Sequence, residues 1–142
     1  MMRISAYIAL LLSASPLTSY VGSQEIGAVA NTILGEARGE GVHGMALVAD
    51  VIHTRLNSPA YPNTPLAVVK QPKQFHGAKY RCKDWDSFEA LWAVELAKLL
   101  VKGKDPVPTV QYTHFWSGNK KPSWAKGEKP YKFRNHQFVR LD

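Results

Sequence analysis

The chain has 142 residues, 45% hydrophobic and 20% charged, a length for one domain and a composition that excludes a disordered polymer. Its 18 Lys and Arg against 11 Asp and Glu give a formal charge of +7, which suits an anionic partner: nucleic acid, a membrane surface or an acidic polymer. One cysteine, Cys82, rules out an intrachain disulfide framework, and a core of this size needs none.

The first segment reads as a leader. Arg3 supplies a positive start, residues 4–14 are apolar, and Val21-Gly22-Ser23 fits a cleavage site before Gln24. The run is short of the ~20 apolar residues of a membrane span. Residues 1–23 are therefore expected to be a signal peptide or weak signal anchor, and residues 24–142 the exported body.

A first helix is predicted to start near Ser23 or Gln24, with Ile26, Val29, Ala30, Ile33 and Leu34 as one apolar stripe. At about 100° per residue, Glu36 falls on the edge of that stripe, beside Val29. Gly39 and Gly41 are expected to end the helix and leave room for a polymer to approach. A second helix is predicted over 43–57, burying Met45, Val48, Ala49, Ile52 and Leu56, with Asp50 on the solvent side. It stops before Ser58-Pro59 because a residue preceding proline is pushed out of helical geometry.

Residues 58–86 are rich in Pro and aromatics and read as a long binding loop, with a short helix over 66–70. A third helix is predicted over 87–102, capped by Asp86 and Glu89, with Phe88, Leu91, Trp92, Leu96 and Leu99 facing the core. Beyond Gly103, the stretches VQYTHFW, KKPSW and KFRNHQFVRLD read as short strands. Helices first and a small sheet last make an α+β single domain.

The chemistry-bearing residues divide the function classes. The histidines His43, His53, His76, His114 and His136 show none of the short paired spacings of a zinc site, so no metal or other cofactor is expected. No nucleic-acid recognition motif accompanies the charge. Cys82 has Arg81 and Lys83 beside it but no protease-like context, and reads as structural. The aromatics Phe75, Tyr80, Trp85, Tyr112, Phe115, Trp116, Trp124 and Tyr131 cluster in the loop and strand regions, where they suit either a sugar-binding cleft or a core. Glycosidic cleavage needs a proton donor kept neutral by an apolar surround. Glu36 has that placement, although spacing alone favours a plain helix-end residue, and Glu40 and Asp50 are the nearby second carboxylates.

As an ordered set, TILGEARGEGVHGMALVADVIHTRLNSPAYPNT, VVKQPKQF, THFW, KPSWA and NHQF resemble the SleB/CwlJ-type cell-wall hydrolases over about residues 25–142. The departures are small: His53-Thr54-Arg55 stands where the family has L-N-R, and THFW where it has a T-H-Y/F-H-like block.

The resemblance implies a lysozyme-like α+β fold acting on the glycan strands of peptidoglycan, with Glu36, the first Glu of E-A-R-G-E, as the catalytic acid. It implies a lytic transglycosylase that cleaves between N-acetylmuramic acid and N-acetylglucosamine, with Glu36 as acid and then base. Such an enzyme could be a phage endolysin; the alternatives are a hydrolytic muramidase of the same fold and a non-catalytic peptidoglycan-binding or virion-associated module. A zinc amidase or peptidase is a further class. Gln74 and Phe75, in the Q-F block, are expected to bind the sugar beside the scissile bond. Thr113, His114 and Phe115 are expected to line the opposite wall, and Trp124 and His136 to brace the sheet. The expected partner is peptidoglycan, met by a monomer in the periplasm or cell envelope, with transient membrane association through the leader.

Overall fold

The computed structural model describes residues 16–108 and 110–141. The apolar run of the predicted leader lies outside them. Four helices come first: α1 (Pro16–Ala37), α2 (Gly41–Leu56), α3 (Pro65–Val69) and α4 (Phe88–Val101). Three strands follow: β1 (His114–Ser117), β2 (Tyr131–Phe133) and β3 (His136–Val139). No helix among the described residues is long and apolar enough to cross a membrane.

Helix α1 begins earlier than the periodicity predicts and runs unbroken across residue 23, the predicted boundary between leader and body. Its apolar stripe is the buried one: Ile26, Val29, Ala30, Ile33 and Leu34 are all core. The α-helix gives way at Ala37 to a tight 3-10 turn, Arg38–Glu40, and Gly41 turns the chain into α2 with φ 74°, a backbone region that favours glycine. Helix α2 is central. Met45, Leu47, Val48, Val51 and Ile52 are sealed on several faces at once, and each large side chain buried this way contributes about 1.5–3 kcal/mol. Asp50 is therefore not on the solvent side as predicted but 0% exposed, because the segment leading into the sheet covers that face.

The short helix in the loop is present as α3, with Thr64 accepting the Ala67 amide at 3.2 Å and Pro65 at its first position. Helix α4 corrects two expectations. Its cap is Ser87, whose hydroxyl accepts from the Ala90 amide at 3.2 Å, not Asp86. Its buried face is Ala90, Ala93, Val94, Leu96, Ala97 and Leu100, whereas Phe88 and Trp92 are exposed. Small alanines let α4 lie close against α1, and the bulky aromatics are displaced to the outer face.

The sheet order is β1-β3-β2, all antiparallel. Phe115 and Tyr131 both register with Phe138, so β3 is the central strand. The β2–β3 turn uses Arg134 at φ 52°. The predicted strand at KKPSW is instead a 3-10 turn, Ser123–Ala125, following Pro122, which has no amide hydrogen to give a ladder. Phe138 joins the sheet to the helical core, while Trp116, Ala125 and Val139 pack a smaller cluster on its other side.

Candidate active site

Glu36 sits at the last turn of α1, half-buried, on the edge of the stripe where its helical phase placed it. Its neighbours Ile33 and Ala37 are in the core, which fixes the backbone beneath it. Opposite lies the 3-10 turn His76–Lys79. The Gly77 amide donates to Glu36 Oε1 at 2.8 Å. This contact needs glycine twice over. A Cβ on Gly77 would lie 2.6 Å from both the Glu36 amide nitrogen and the Thr32 carbonyl and 2.8 Å from Glu36 Cγ, and a Cβ on Gly35 would collide with Gly77 in return. The glycines expected to admit a polymer have other tasks. Gly41 makes the turn into α2, Gly39 has open space around it, and neither lines the cleft that holds Glu36.

That cleft, of about 510 Å³, is walled by α1 and the 73–76 segment on one side and by β1 with the Ser123–Ala125 turn on the other. Gln74, His114 and Phe115, all predicted as substrate contacts, line it together with Glu36. Phe75 does not. It is buried beneath the Arg55 guanidinium and against Phe115, 6.2 Å between ring centroids, so its place is support of the floor. Thr113 does not line it either, although its hydroxyl lies 2.8 Å from His114 Nδ1. Its hydroxyl accepts the Leu141 amide at 2.7 Å and it lines a separate depression.

The carboxylates separate clearly. Among the described residues, Glu36 is the sole acidic residue lining this cleft. Glu40 is buried beside His136, with Oε1 3.7 Å from Nδ1. Burial pushes the His136 ring below the usual histidine range, opposed by Glu40, the Glu36 carboxyl and a hydrogen bond to the Glu36 backbone. His136 thus braces the residue that carries the acid as well as the sheet. His114 is likewise pushed down by burial and by nearby Arg55, which leaves a neutral imidazole in the cleft at neutral pH. Asp50 accepts the Tyr112 amide at 2.9 Å, and burial raises its pKa to about 7. Among the described residues no three His, Cys, Asp or Glu groups converge as a metal site. Cys82 lies in another depression, and burial pushes its thiol up, away from the reactive thiolate.

Arg55, Lys73, His76, Trp116, Ser117 and Trp124 also line the cleft and were not singled out as contacts. Trp124, expected to brace the sheet and one of the aromatics that suit a sugar-binding cleft, is 46% exposed and stacks obliquely on His114 at 5.1 Å. Arg55 carried a readable signal. It falls three residues after Ile52 and seven after Val48, so a cation occupies the apolar stripe of a central helix.

Residues 39–139 match the family described as Cell Wall Hydrolase, a range that begins just after Glu36. Spore cortex-lytic enzymes of Oceanobacillus iheyensis and Bacillus subtilis are 45% identical over 51 residues and 42% identical over 53. Those stretches cover 36% and 37% of this chain but only 18% and 17% of the relatives, so the match spans less than a fifth of their length. The catalytic domain of the Bacillus cereus SleB protein has the same fold, with a TM-score of 0.62 at 23% identity over 82% of this chain and 89% of that one. The catalytic domain of the germination-specific lytic transglycosylase SleB from Bacillus anthracis gives 0.62 at 24% identity, covering 82% and 93%. A family match over well over half of the residues, on the lysozyme-like helix-then-sheet fold of the SleB catalytic domains, places the chain in the cell wall hydrolase family.

Proposed function

We propose that the protein cleaves peptidoglycan glycan strands between N-acetylmuramic acid and N-acetylglucosamine as a lytic transglycosylase, with Glu36 as the catalytic acid and base. The observation that carries this reading is the single carboxyl that the described residues bring to the cleft, aimed by the Gly77 amide at 2.8 Å. Two-carboxylate glycosidases place a second acid across the bond, at about 5–9.5 Å, as nucleophile or as base for water. Here the remaining candidates are engaged elsewhere, Glu40 with His136 and Asp50 with Tyr112.

One carboxyl suffices if the substrate supplies its own nucleophile. Glu36, protonated, gives its proton to the glycosidic oxygen as the bond to muramyl C1 breaks. The resulting carboxylate then takes the proton of the muramyl 6-hydroxyl as that oxygen attacks C1. A 1,6-anhydro ring closes, no water is consumed and Glu36 returns to its acid form. The exposed face of Trp124 and the half-buried Phe115 offer apolar surfaces for sugar rings, and Gln74 and neutral His114 offer hydrogen bonds. The site of action on this reading is the cell envelope, reached by export through the leader, and the working form is a monomer.

Mass spectrometry of digested peptidoglycan is the test. Anhydro-muramyl ends are the expected product. Reducing ends would replace this reading with a muramidase, and binding without any cleavage would replace it with a wall-binding module.

A further inference from the structure

Arg55 has no place in the reaction just described, yet it occupies the floor of the same cleft. The residue is 4% exposed. Nε donates to the Thr113 carbonyl at 2.9 Å and one terminal nitrogen to Gln74 Oε1 at 3.1 Å. The guanidinium lies 4.9 Å from the Tyr61 ring centroid and 5.3 Å from that of Phe75. Among the described residues no carboxylate is paired with it, and its remaining N–H groups have no protein acceptor. Taking a cation out of water without a counter-ion is costly, and buried arginines are ordinarily paired. A guanidinium held planar, hydrogen-bonded along one edge and left open along another, is shaped to receive a carboxylate on two parallel N–H groups.

A second observation points the same way. Lys73 lines the cleft and stands at φ 62°, in the left-handed region that a residue with a side chain rarely adopts. Such strained positions gather at ligand sites. Among the described residues the cleft is lined by two cations, Arg55 and Lys73, against one acid, Glu36.

We infer that Arg55, assisted by Lys73, forms a carboxylate-binding subsite beside Glu36, and that the preferred substrate is a glycan strand bearing a free carboxylate near the scissile bond. The inference rests on the glycan-cleaving reading and narrows it. Two groups carry that chemistry: the lactyl carboxylate of a muramyl residue stripped of its peptide, and the carboxylates of an attached peptide.

Binding of the full chain carrying Glu36→Gln, which holds substrate without turnover, separates the cases. The probes are peptide-bearing strands, strands stripped by an amidase, and each of these with its carboxylates converted to methyl amides. Blocking the carboxylates is expected to weaken binding about tenfold, and adding Arg55→Gln to abolish that difference. The probe that loses affinity on blocking identifies the source, stripped strands for the lactyl group and peptide-bearing strands for the peptide. Equal binding to blocked and unblocked strands overturns the inference, as does an Arg55→Gln protein that weakens on all probes alike. Should Arg55→Gln fail to fold, the exposed Lys73→Gln decides: a roughly threefold smaller preference supports the subsite and an unchanged preference rejects it. The carboxylate preference without cleavage by the unsubstituted protein would sink the catalytic reading and leave the subsite standing. Cleavage without preference would do the reverse.

Discussion

Glu36 and Asp50 are carboxyl groups on consecutive helices, and their surroundings differ in the way that matters for chemistry. Asp50 is 0% exposed, its pKa is raised to about 7 by burial, and one oxygen is sealed without a partner. By its pKa it looks like an acid–base catalyst. It nevertheless touches only protein, holding the Tyr112 amide at the entry to the sheet. Glu36 is half-buried and opens onto a cleft lined by aromatic and amide side chains. The contrast teaches that a displaced pKa does not by itself mark a candidate catalyst; an open path to a substrate, which Glu36 has and Asp50 lacks, is the more useful sign.

The sharpest way to break the comparison is to neutralise each acid in turn. Glu36→Gln should lower glycan cleavage by about 10³-fold or more, with the melting temperature little changed. Comparable residual turnover would move the chemistry elsewhere. Asp50→Asn should leave cleavage within about twofold and act on stability instead. The folded pKa lies above the unfolded value of 3.8, so the native state keeps its proton while the unfolded chain loses it. Stability linked to Asp50 is present in full below about pH 4, falls as pH rises towards about 7, and is then constant. Urea unfolding across pH 4 to 8 should therefore swing in favour of Asp50→Asn by about 2–4 kcal/mol. A pH-independent difference would place the carboxyl in a wetter setting than the fold indicates.

Gly77→Ala sharpens the picture from the other side of the cleft. The added Cβ falls 2.8 Å from Glu36 Cγ, so Glu36 or the turn must shift. A loss of about 10- to 100-fold in kcat is expected, with a stability cost of about 1–3 kcal/mol. Unchanged kcat would show that the Gly77 contact does not aim the acid. Trp124→Ala should raise KM about three- to tenfold and leave kcat nearly alone, because the ring offers binding surface and not chemistry. Phe88→Ser sets the baseline. At 62% exposed on the outer face of α4, the ring touches no part of the cleft, so cleavage should be unaltered and stability should move by no more than about 0.5 kcal/mol.

Much of this was legible in the residues. The period of Ile26, Val29, Ile33 and Leu34 named the buried face of α1 and put Glu36 at its rim, where the structure has it. The α+β order followed from helical stripes giving way to short aromatic runs. What escaped depended on contacts between distant segments. Asp50 reads as solvent-facing because phase describes one helix, whereas its cover comes from Tyr112, far along the chain. Phe88 and Trp92 read as core because they are large, yet α4 presents its alanines to α1. Thr113 and His114 are adjacent in sequence but line different depressions, with the Thr113 hydroxyl 2.8 Å from His114 Nδ1, so Thr113 meets the cleft only through that ring.

The strand order has a consequence for when the cleft is complete. β1 forms part of the cleft wall, and among the described residues its one neighbour in the sheet is β3, which also brings His136 beneath Glu36. A ribosome therefore emits the acid early, on α1, and the strand that completes its surroundings after every other helix and strand has been made. Any nascent chain stopping short of residue 136 would carry Glu36 without β3 to support the cleft wall, so on the glycan-cleaving reading activity waits for that strand.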